Sequence, residues 1–298
     1  MHKSIVIFTG LLFLMSTSAW SENTQTAPLE IQVINTGPLS LNANMTLIKG
    51  KDGLVLVDVP FTRADTHRLI ADILETGKHL DTVIITHDHP DHFFGLDLIL
   101  DTFPNARAVA APEVVKDMWR SIPLKFKRWN PMLGTMAPHH PAVPAALEDR
   151  VVMLEGHRIE ILGPMQGDHV HATAVWVPDI KALIAGDLLF NHMHVWLGEH
   201  LATQRKAYAQ SVEQLAALNP AIVVAGHRRP DLKSDNDAIA FTRDYLKKFE
   251  QYTTTSKNSG ELMAKMRKAY PDTIDAIEDF ILTNSSRVAM GEMPPWDE

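Results

Sequence analysis

The side chains best suited to chemistry in this chain are concentrated in residues 86–92, which read Thr-His-Asp-His-Pro-Asp-His. Imidazole and carboxylate groups are ligands that suit zinc, iron or manganese. The run directly follows the apolar residues 83–85, which predicts a turn at the end of a strand rather than one face of a helix. On such a turn, His87 and His89 can face one ion while Asp91 and His92 face another.

Further candidate ligands stand where apolar runs end or begin. Asp58, Asp187 and His227 each follow an apolar stretch, and His169 and His171 precede another. In open α/β folds, functional residues gather at strand ends, because the sheet holds the loops that carry them. These polar residues are therefore predicted to form one shared site with residues 87–92.

The elements that must position these residues alternate between strands and helices. Residues 54–57 form a continuous apolar run, which is typical of a strand buried on both faces. Residues 65–74 show helical spacing, and Gly77 is a stop signal. Strands are predicted at 31–35, 44–48, 54–57, 82–85, 108–111, 151–154, 158–162, 173–177, 182–185 and 221–225, and helices near 65–74, 93–100, 113–119, 205–218 and from 237 onward.

Residues 122–148 lack a clear period and contain five prolines. A long irregular segment in a compact domain is usually a lid, a binding loop or a linker. Apolar side chains at Trp119, Phe126, Trp129 and Met132 would make such a lid hydrophobic. This favours a small-molecule substrate that is neutral or carries an acyl group.

The first 21 residues have the features of a cleaved signal peptide. Lys3 gives a positively charged N-terminal region, residues 5–15 are mostly apolar, and small residues allow cleavage after Ala19 or Ser21. The apolar stretch is too short to span a bilayer. The mature chain is therefore expected in the periplasm or outside the cell, without stable membrane insertion, and a retained membrane anchor is the alternative.

Composition narrows the class of protein further. The chain has 298 residues, no cysteine and a net charge of −8. The lack of cysteine excludes disulfides and thiolate metal ligands, and the lack of a long basic run argues against a nucleic-acid partner. The length suits one α/β domain over residues 22–234 and a C-terminal helical extension over residues 235–298, which would cover the core or support an oligomer.

Residues 87–92 resemble the His-x-His-x-Asp-His signature of the metallo-β-lactamase superfamily. Val57-Asp58, Ala185-Gly186-Asp187 and Gly226-His227 resemble its other characteristic segments in order and approximate spacing, and the resemblance covers roughly residues 30–230. It implies a four-layer αββα fold that holds two zinc ions, with iron or manganese as alternatives.

The resemblance also implies a role for each ligand. His87, His89 and a third histidine would hold one zinc, Asp91, His92 and His227 would hold the second, and Asp187 would bridge both. Asp58 would orient a histidine ligand through a hydrogen bond. Where family members usually read Gly-His-Thr-x-Gly, this chain reads Gly167-Asp168-His169-Val170-His171. We expect His169 to be the third histidine, with His171 as the second choice, unless Asp168 takes an unusual role.

The implied chemistry is hydrolysis by a metal-bridging hydroxide, with Asp91 orienting the nucleophile or moving a proton. The main β-lactamases carry Cys or Ser where Asp187 stands, so the chain is closer to the lactonase and glyoxalase-II-like branches. An exported hydrolase of an ester or lactone is therefore expected. The alternatives are a β-lactamase and a non-catalytic metal- or ligand-binding protein. His194, shortly after Asp187, is a candidate for contact with substrate or ligands.

Overall fold

Two β-sheets form the centre of the computed structural model, which describes Met1 and residues 28–296. The first sheet joins six strands in chain order, with β1 and β2 antiparallel, β2 and β3 antiparallel, and β3 to β6 parallel. These strands are β1 (Glu30–Asn35), β2 (Asn44–Lys49), β3 (Gly53–Val57), β4 (His79–Ile84), β5 (Arg107–Ala110) and β6 (Ala145–Ala146). The predicted signal peptide, beyond its first residue, lies outside the described residues.

The second sheet has five strands in the order β12-β10-β9-β8-β7. A separate short pair joins β11 to β13 in parallel. The bounds are β7 (Val151–Leu154), β8 (His157–Met165), β9 (Ala172–Val177), β10 (Ala182–Ile184), β11 (Phe190–Asn191), β12 (Ile222–Val224) and β13 (His227–Arg228). Most predicted strands are confirmed. The apolar run of β3 is buried at every position, whereas β1 is only partly buried.

Alternating side chains of the second sheet enter two different cores. Ile161 and Val175 pack in the core shared with the first sheet, whereas Ala174 and Leu183 pack in a core on the other face. This alternation follows from the two-residue period of a strand. The second sheet is therefore covered on both faces.

Helices complete the outer layers. Buried residues of α1 (Arg63–Glu75), α3 (Leu96–Thr102) and α4 (Pro112–Leu133) join the core of the first sheet. Buried residues of α5 (Ala202–Ala217), α6 (Ala238–Thr255), α7 (Ser259–Ala269) and α8 (Phe280–Ala289) join the core beyond the second sheet. The four-layer αββα architecture with C-terminal helices is confirmed. Within the described part of the chain, no helix is both long and apolar enough to cross a membrane.

The irregular lid predicted for residues 122–148 is wrong over its first half. Helix α4 continues to Leu133 and contains Pro123 and Pro131. Its buried positions recur with helical spacing, but three of them are polar: Asp117, Ser121 and Lys125. The hydrophobic pattern therefore does not reveal this inward face, and Pro123 and Pro131 do not end the helix. The polar side chains instead face the residues of the predicted site.

Candidate metal centre

The histidine run leaves β4 and turns sharply into a one-turn helix, α2 (Pro90–Phe93). Pro90 at the first helical position fixes the backbone for this turn. The ring centroids of His87 and His89 lie 4.8 Å apart, and those of His87 and His92 lie 4.4 Å apart. The turn therefore brings the three imidazoles of the motif together at the end of the first sheet.

One group of candidate ligands consists of His87, His89, Asp168 and Asp187, whose ligand atoms all lie within 4.8 Å of one another. All four residues are buried. His89 Nδ1 lies 2.9 Å from Asp168 Oδ2. His87 Nε2 lies 3.8 Å from oxygens of both Asp168 and Asp187. Two imidazoles and two carboxylates thus converge on one point.

A second group consists of Asp91, His92 and His227. His227 Nε2 lies 3.3 Å from Asp91 Oδ2 and 3.0 Å from Asp187 Oδ2. His92 Nε2 lies 3.1 Å from Asp187 Oδ1. Asp187 therefore stands between the two groups, where a carboxylate that bridges two ions would have to be.

Two glycines allow the backbone to pass close to Asp187 and Thr86. A side chain at Gly226 would place its Cβ 1.9 Å from Asp187 Oδ1. Gly186 has a φ of +49°, and its Cβ would lie 2.7 Å from Thr86 Oγ1. Only glycine allows the strand ends to pack this closely around the carboxylate.

The outer nitrogens of three histidines are held by hydrogen bonds. Nδ1 of His92 donates to Asp58 Oδ2 at 2.9 Å, and Nδ1 of His227 donates to the carbonyl of Leu41 at 2.9 Å. Nδ1 of His87 lies 3.0 Å from the Thr86 hydroxyl, which itself donates to Asp58. Each Nε2 is thereby directed to the centre, which is the arrangement that partners of ligand histidines produce.

The residues fit two divalent cations. His87 Nε2 and Asp168 Oδ1 are buried and have no hydrogen-bond partner among the described residues. Buried polar atoms are rarely left in this state. Imidazole and carboxylate ligands bind zinc at about 2.0–2.2 Å, so an ion between these atoms would satisfy both. Burial and the neighbouring His92 hold the pKa of His87 well below its usual range, which keeps this imidazole neutral and ready to bind a metal.

Metal binding is expected to release protons from the second group. Burial lowers the pKa of His227, but Asp187 and Asp91 outweigh burial and raise it to about 10. Before an ion binds, His227 is therefore protonated at neutral pH. A metal ligand must be deprotonated, so the apparent zinc affinity should rise as pH increases, by about tenfold per pH unit for each proton displaced.

Calorimetric titration of chelator-treated protein, in two buffers of different ionisation enthalpy, measures this proton release. Zinc-binding heats that are the same in both buffers near neutral pH would contradict the expected release of protons.

Asp58 lies outside both groups and contacts the histidine run from behind. Its φ is +62°, and it accepts hydrogen bonds from the Thr86 amide, the Thr86 hydroxyl and His92. Asparagine tolerates this backbone conformation but offers one fewer acceptor oxygen. Asp58→Asn should therefore weaken zinc binding by about 10- to 100-fold. Competition with a chromophoric chelator measures the loss, and the exposed Asp52→Asn is the matched control, which should bind zinc as the wild type does.

The structure does not bring His169 into the first group. Its Nε2 lies 3.2 Å from Asp88 Oδ1 and 3.3 Å from Asp117 Oδ2, and its Nδ1 lies 3.1 Å from Glu199 Oε2. Burial lowers the pKa of His169, but the hydrogen bonds with Asp117 and Glu199 raise it to about 9. Asp168 occupies the position beside His87 and His89 instead.

The other two predicted histidines also lie apart from both groups. His171 Nδ1 lies 2.5 Å from Asp117 Oδ2. His194 contacts Tyr245, whose hydroxyl lies 2.9 Å from its Nδ1, and it lines a cavity above the site. Burial lowers the pKa of His194 to about 4, so this side chain is neutral and can contact a substrate only as an uncharged ring.

Glu199 was not identified from the sequence. Its Oε1 accepts a hydrogen bond from His89 Nε2 at 2.9 Å and from Trp196 Nε1 at 3.0 Å. Held in this way, His89 turns its Nδ1 toward Asp168. Glu199 follows no apolar strand and matches no motif segment, so no local signal marked it.

An open cavity of about 680 Å³ lies above the two groups. His89, Asp91, Asp168, Asp187 and His227 form its floor. No lysine or arginine of the described chain lines it. Its walls are mainly apolar and aromatic, and they include Phe61, Trp129, Phe190, Trp196, Phe280, Ile281 and Trp296. Because α8 supplies part of this wall, the C-terminal helices contribute directly to the site.

Comparison with known proteins identifies the family. Residues 40–227 match the family model described as the metallo-beta-lactamase superfamily, so the chain belongs to this superfamily of metal-dependent hydrolases. The His and Asp clusters above are its candidate metal sites.

Solved structures share the fold at low sequence identity. TMB-1 is 18% identical, with a TM-score of 0.52, and the alignment covers 74% of this chain and 93% of that one. The metallo-beta-lactamase from Pontibacter korlensis is also 18% identical, with a TM-score of 0.52 and coverage of 74% and 94%. DIM-1 metallo-beta-lactamase is 17% identical, with a TM-score of 0.52 and coverage of 75% and 99%.

A curated relative is similar over a shorter stretch. An (R)-specific secondary-alkylsulfatase from Pseudomonas sp is 42% identical over 62 residues. The match spans 20% of this chain and 9% of the relative's own length.

Proposed function

We propose that this protein is an exported dinuclear zinc hydrolase that cleaves an ester or lactone carrying an apolar group. One observation carries the proposal: two adjoining His/Asp groups form the floor of an aromatic cavity that no lysine or arginine of the described chain lines. The candidate metal ligands and the apolar wall therefore face the same cavity. The choice of zinc and the export of the protein remain predictions from the sequence.

The ligand assignment follows from the two groups. His87, His89 and Asp168 would hold one ion, Asp91, His92 and His227 would hold the second, and Asp187 would contact both. Such ions, when bound, supply a nucleophilic hydroxide at neutral pH and polarise the scissile carbonyl. Asp168 would then take the position for which the sequence favoured His169.

Asp91 has a second role in this proposal. Burial raises its pKa, but the nearby His92 and His227 outweigh burial and lower it to about 2. The Asp91 carboxylate therefore stays ionised at neutral pH. Because it lies on the cavity floor, it can orient the attacking water by accepting a hydrogen bond from it.

The cavity wall favours an uncharged substrate. Trp196 and Phe280 stack with ring centroids 5.6 Å apart and an interplanar angle of 7°, and Trp296 packs edge-on against both. Such a wall binds alkyl, acyl or aryl groups. β-Lactam antibiotics carry a carboxylate at neutral pH, and among the described residues no lysine or arginine lines this cavity to pair with it. We therefore place the β-lactamase alternative below the ester or lactone.

A sulfate ester with an apolar alkyl group is a second candidate. The short similarity to a secondary alkylsulfatase favours it, and the same apolar wall would hold the alkyl chain. The sulfate charge would then have to lie against the bound ions rather than against a side chain.

A substrate panel tests these alternatives. Purified protein, with and without chelator treatment, is assayed with a long-chain acyl lactone, an alkyl ester, a secondary alkyl sulfate and a chromogenic cephalosporin. We expect metal-dependent turnover of the lactone or the ester. Turnover of the alkyl sulfate alone would favour the second candidate, cephalosporin turnover alone would contradict the role given to the apolar wall, and full metal binding without any turnover would indicate a binding protein.

Phe280 is expected to determine the preference for long apolar groups, because it contacts three tryptophans of the wall. Burying a side chain of this size is worth about 1.5–3 kcal/mol. Phe280→Ala should therefore lower kcat/KM for a long-chain substrate by about 10- to 100-fold and change it little for an acetyl substrate. Phe241→Ala is the matched control, since Phe241 packs beside Tyr245 and Tyr270 and does not line the cavity. Equal losses in both variants would count against the role of Phe280.

A further inference from the structure

A second cluster of potential ligands lies beside the dinuclear centre. Asp88, Asp117, His169 and His171 form this set, which we call the auxiliary cluster. Ligand atoms of Asp117, His169 and His171 all lie within 4.8 Å of one another. Asp88 Oδ1 lies 3.2 Å from His169 Nε2. None of these four residues belongs to either group at the floor of the cavity.

Three separate segments bring the auxiliary cluster together. Asp88 comes from the histidine turn, between two ligands of the first group. Asp117 comes from the polar inward face of α4. His169 and His171 come from the turn between β8 and β9, two positions apart. Imidazole and carboxylate groups are costly to bury unless they are paired or bind a metal, and here the imidazoles and carboxylates of the three segments face one another.

The buried Asp88 carboxylate indicates that a cation fits this cluster. Asp88 is 1% exposed, and its Oδ1 has no hydrogen-bond partner among the described residues. Its other oxygen accepts a hydrogen bond from Ser121 at 2.9 Å and lies 3.0 Å from Lys125 Nζ. Asp117 Oδ1 lies 3.8 Å from Arg120 Nη2, and its Oδ2 faces His169 and His171. One oxygen of each carboxylate is thus directed to a cationic side chain and the other to the histidines.

We propose that Asp88, Asp117, His169 and His171 bind a third divalent transition-metal ion, of the zinc type. Two imidazoles and two carboxylates make a closed four-ligand set, as in structural zinc sites. Ligand atoms about 2.0–2.2 Å from a tetrahedral ion lie about 3.3–3.6 Å apart. The distances of 3.2 and 3.3 Å from His169 Nε2 to Asp88 and Asp117 are close to this spacing, and the His171–Asp117 contact of 2.5 Å has to lengthen.

His169 is already oriented for this role. Its Nδ1 lies 3.1 Å from Glu199 Oε2 and donates to that carboxylate, so Nε2 faces Asp88 and Asp117. A ligand histidine almost always donates its other nitrogen to a carboxylate, a carbonyl or water. The second Glu199 oxygen accepts from His89, so an ion in the auxiliary cluster would fix a ligand of the catalytic centre through one shared carboxylate. The His171 side chain is 37% exposed, which gives the ion a route that bypasses the substrate cavity.

Metal counting tests this inference without depending on catalysis. The full chain is loaded with zinc, passed over a chelating resin that removes weakly held ions, and analysed by mass spectrometry for metal per chain. We expect three ions in the wild type and two in His171→Ala and in Asp117→Asn. The exposed His67→Ala is the matched histidine control and should keep three. His227→Ala should also lose an ion, but from the second group.

The metal count and the substrate panel distinguish a failure of the auxiliary site from a failure of the proposed function. Circular dichroism establishes that each variant is folded, and the conservative Asp117→Asn keeps the side-chain volume if His171→Ala is unstable. Two or fewer ions in the wild type, or an unchanged count in both cluster variants, would overturn the inference. Failure of the substrate panel with three ions bound would overturn only the proposed function.

Discussion

Replacing Asp187 with alanine is expected to lower kcat/KM for the ester or lactone by about 1000-fold or more, which corresponds to about 4 kcal/mol of transition-state stabilisation. The reason is its position between both groups, with Oδ2 3.8 Å from His87 Nε2 of the first group and 3.0 Å from His227 Nε2 of the second. In the proposed assignment, neither ion would keep its full set of ligands without this carboxylate. Turnover and metal content are measured on the same preparation.

The exposed Asp101→Ala is the matched control for Asp187→Ala, since its side chain is 67% exposed and lies outside the site. It should keep wild-type turnover. A folded Asp187→Ala variant that retains both its metal and more than a tenth of wild-type activity would contradict the bridging role.

Asp168→Ala and His169→Ala should have very different effects, although these residues are adjacent in the chain. We expect Asp168→Ala to lower kcat/KM by about 100- to 1000-fold, because it removes a ligand and with it several kcal/mol of stabilisation. His169→Ala should lower it by about tenfold or less, because His169 reaches the centre only through Glu199 and His89. Each variant is the other's control in a side-by-side measurement.

The stability of the Asp168 variant gives a second readout. Burial raises the pKa of Asp168 and, together with the nearby Asp187 carboxylate, outweighs the lowering effect of His89, so that this pKa is about 7. Removing Asp168 should therefore leave the melting temperature of the metal-free protein unchanged or higher, while the increase on adding zinc should shrink. A large loss of activity in His169→Ala with little loss in Asp168→Ala would restore the histidine to the position that the sequence favoured.

Most of the sheet framework could be predicted, because the signals were local. Runs such as 54–57 and 182–185 are apolar at every position, and burial on both faces follows directly. The residues at the ends of these runs could also be grouped, since parallel strands bring their ends to one edge. For this reason Asp58 lies beside the histidine run at the edge of the first sheet, and Asp187 lies beside His227 at the edge of the second.

Other features could not be predicted because they depend on long-range packing. The packing of the turn before β9 against Asp187 and α4 determines whether Asp168 or His169 faces the first group. Neighbouring residues in a turn can point in opposite directions. Glu199 reaches His89 across 110 positions of sequence. Helix α4 presents a polar face to a polar cluster, so hydrophobic periodicity was not informative there.

The measurement that tests the central claim most directly is zinc titration of the chelator-treated protein, with turnover of a long-chain lactone or ester followed at each addition. The proposed function predicts negligible turnover before zinc is added, and recovery that parallels the occupation of the two His/Asp groups. Full turnover in the chelated protein, or no binding of any transition metal, would contradict the assignment of this site as a dinuclear hydrolytic centre.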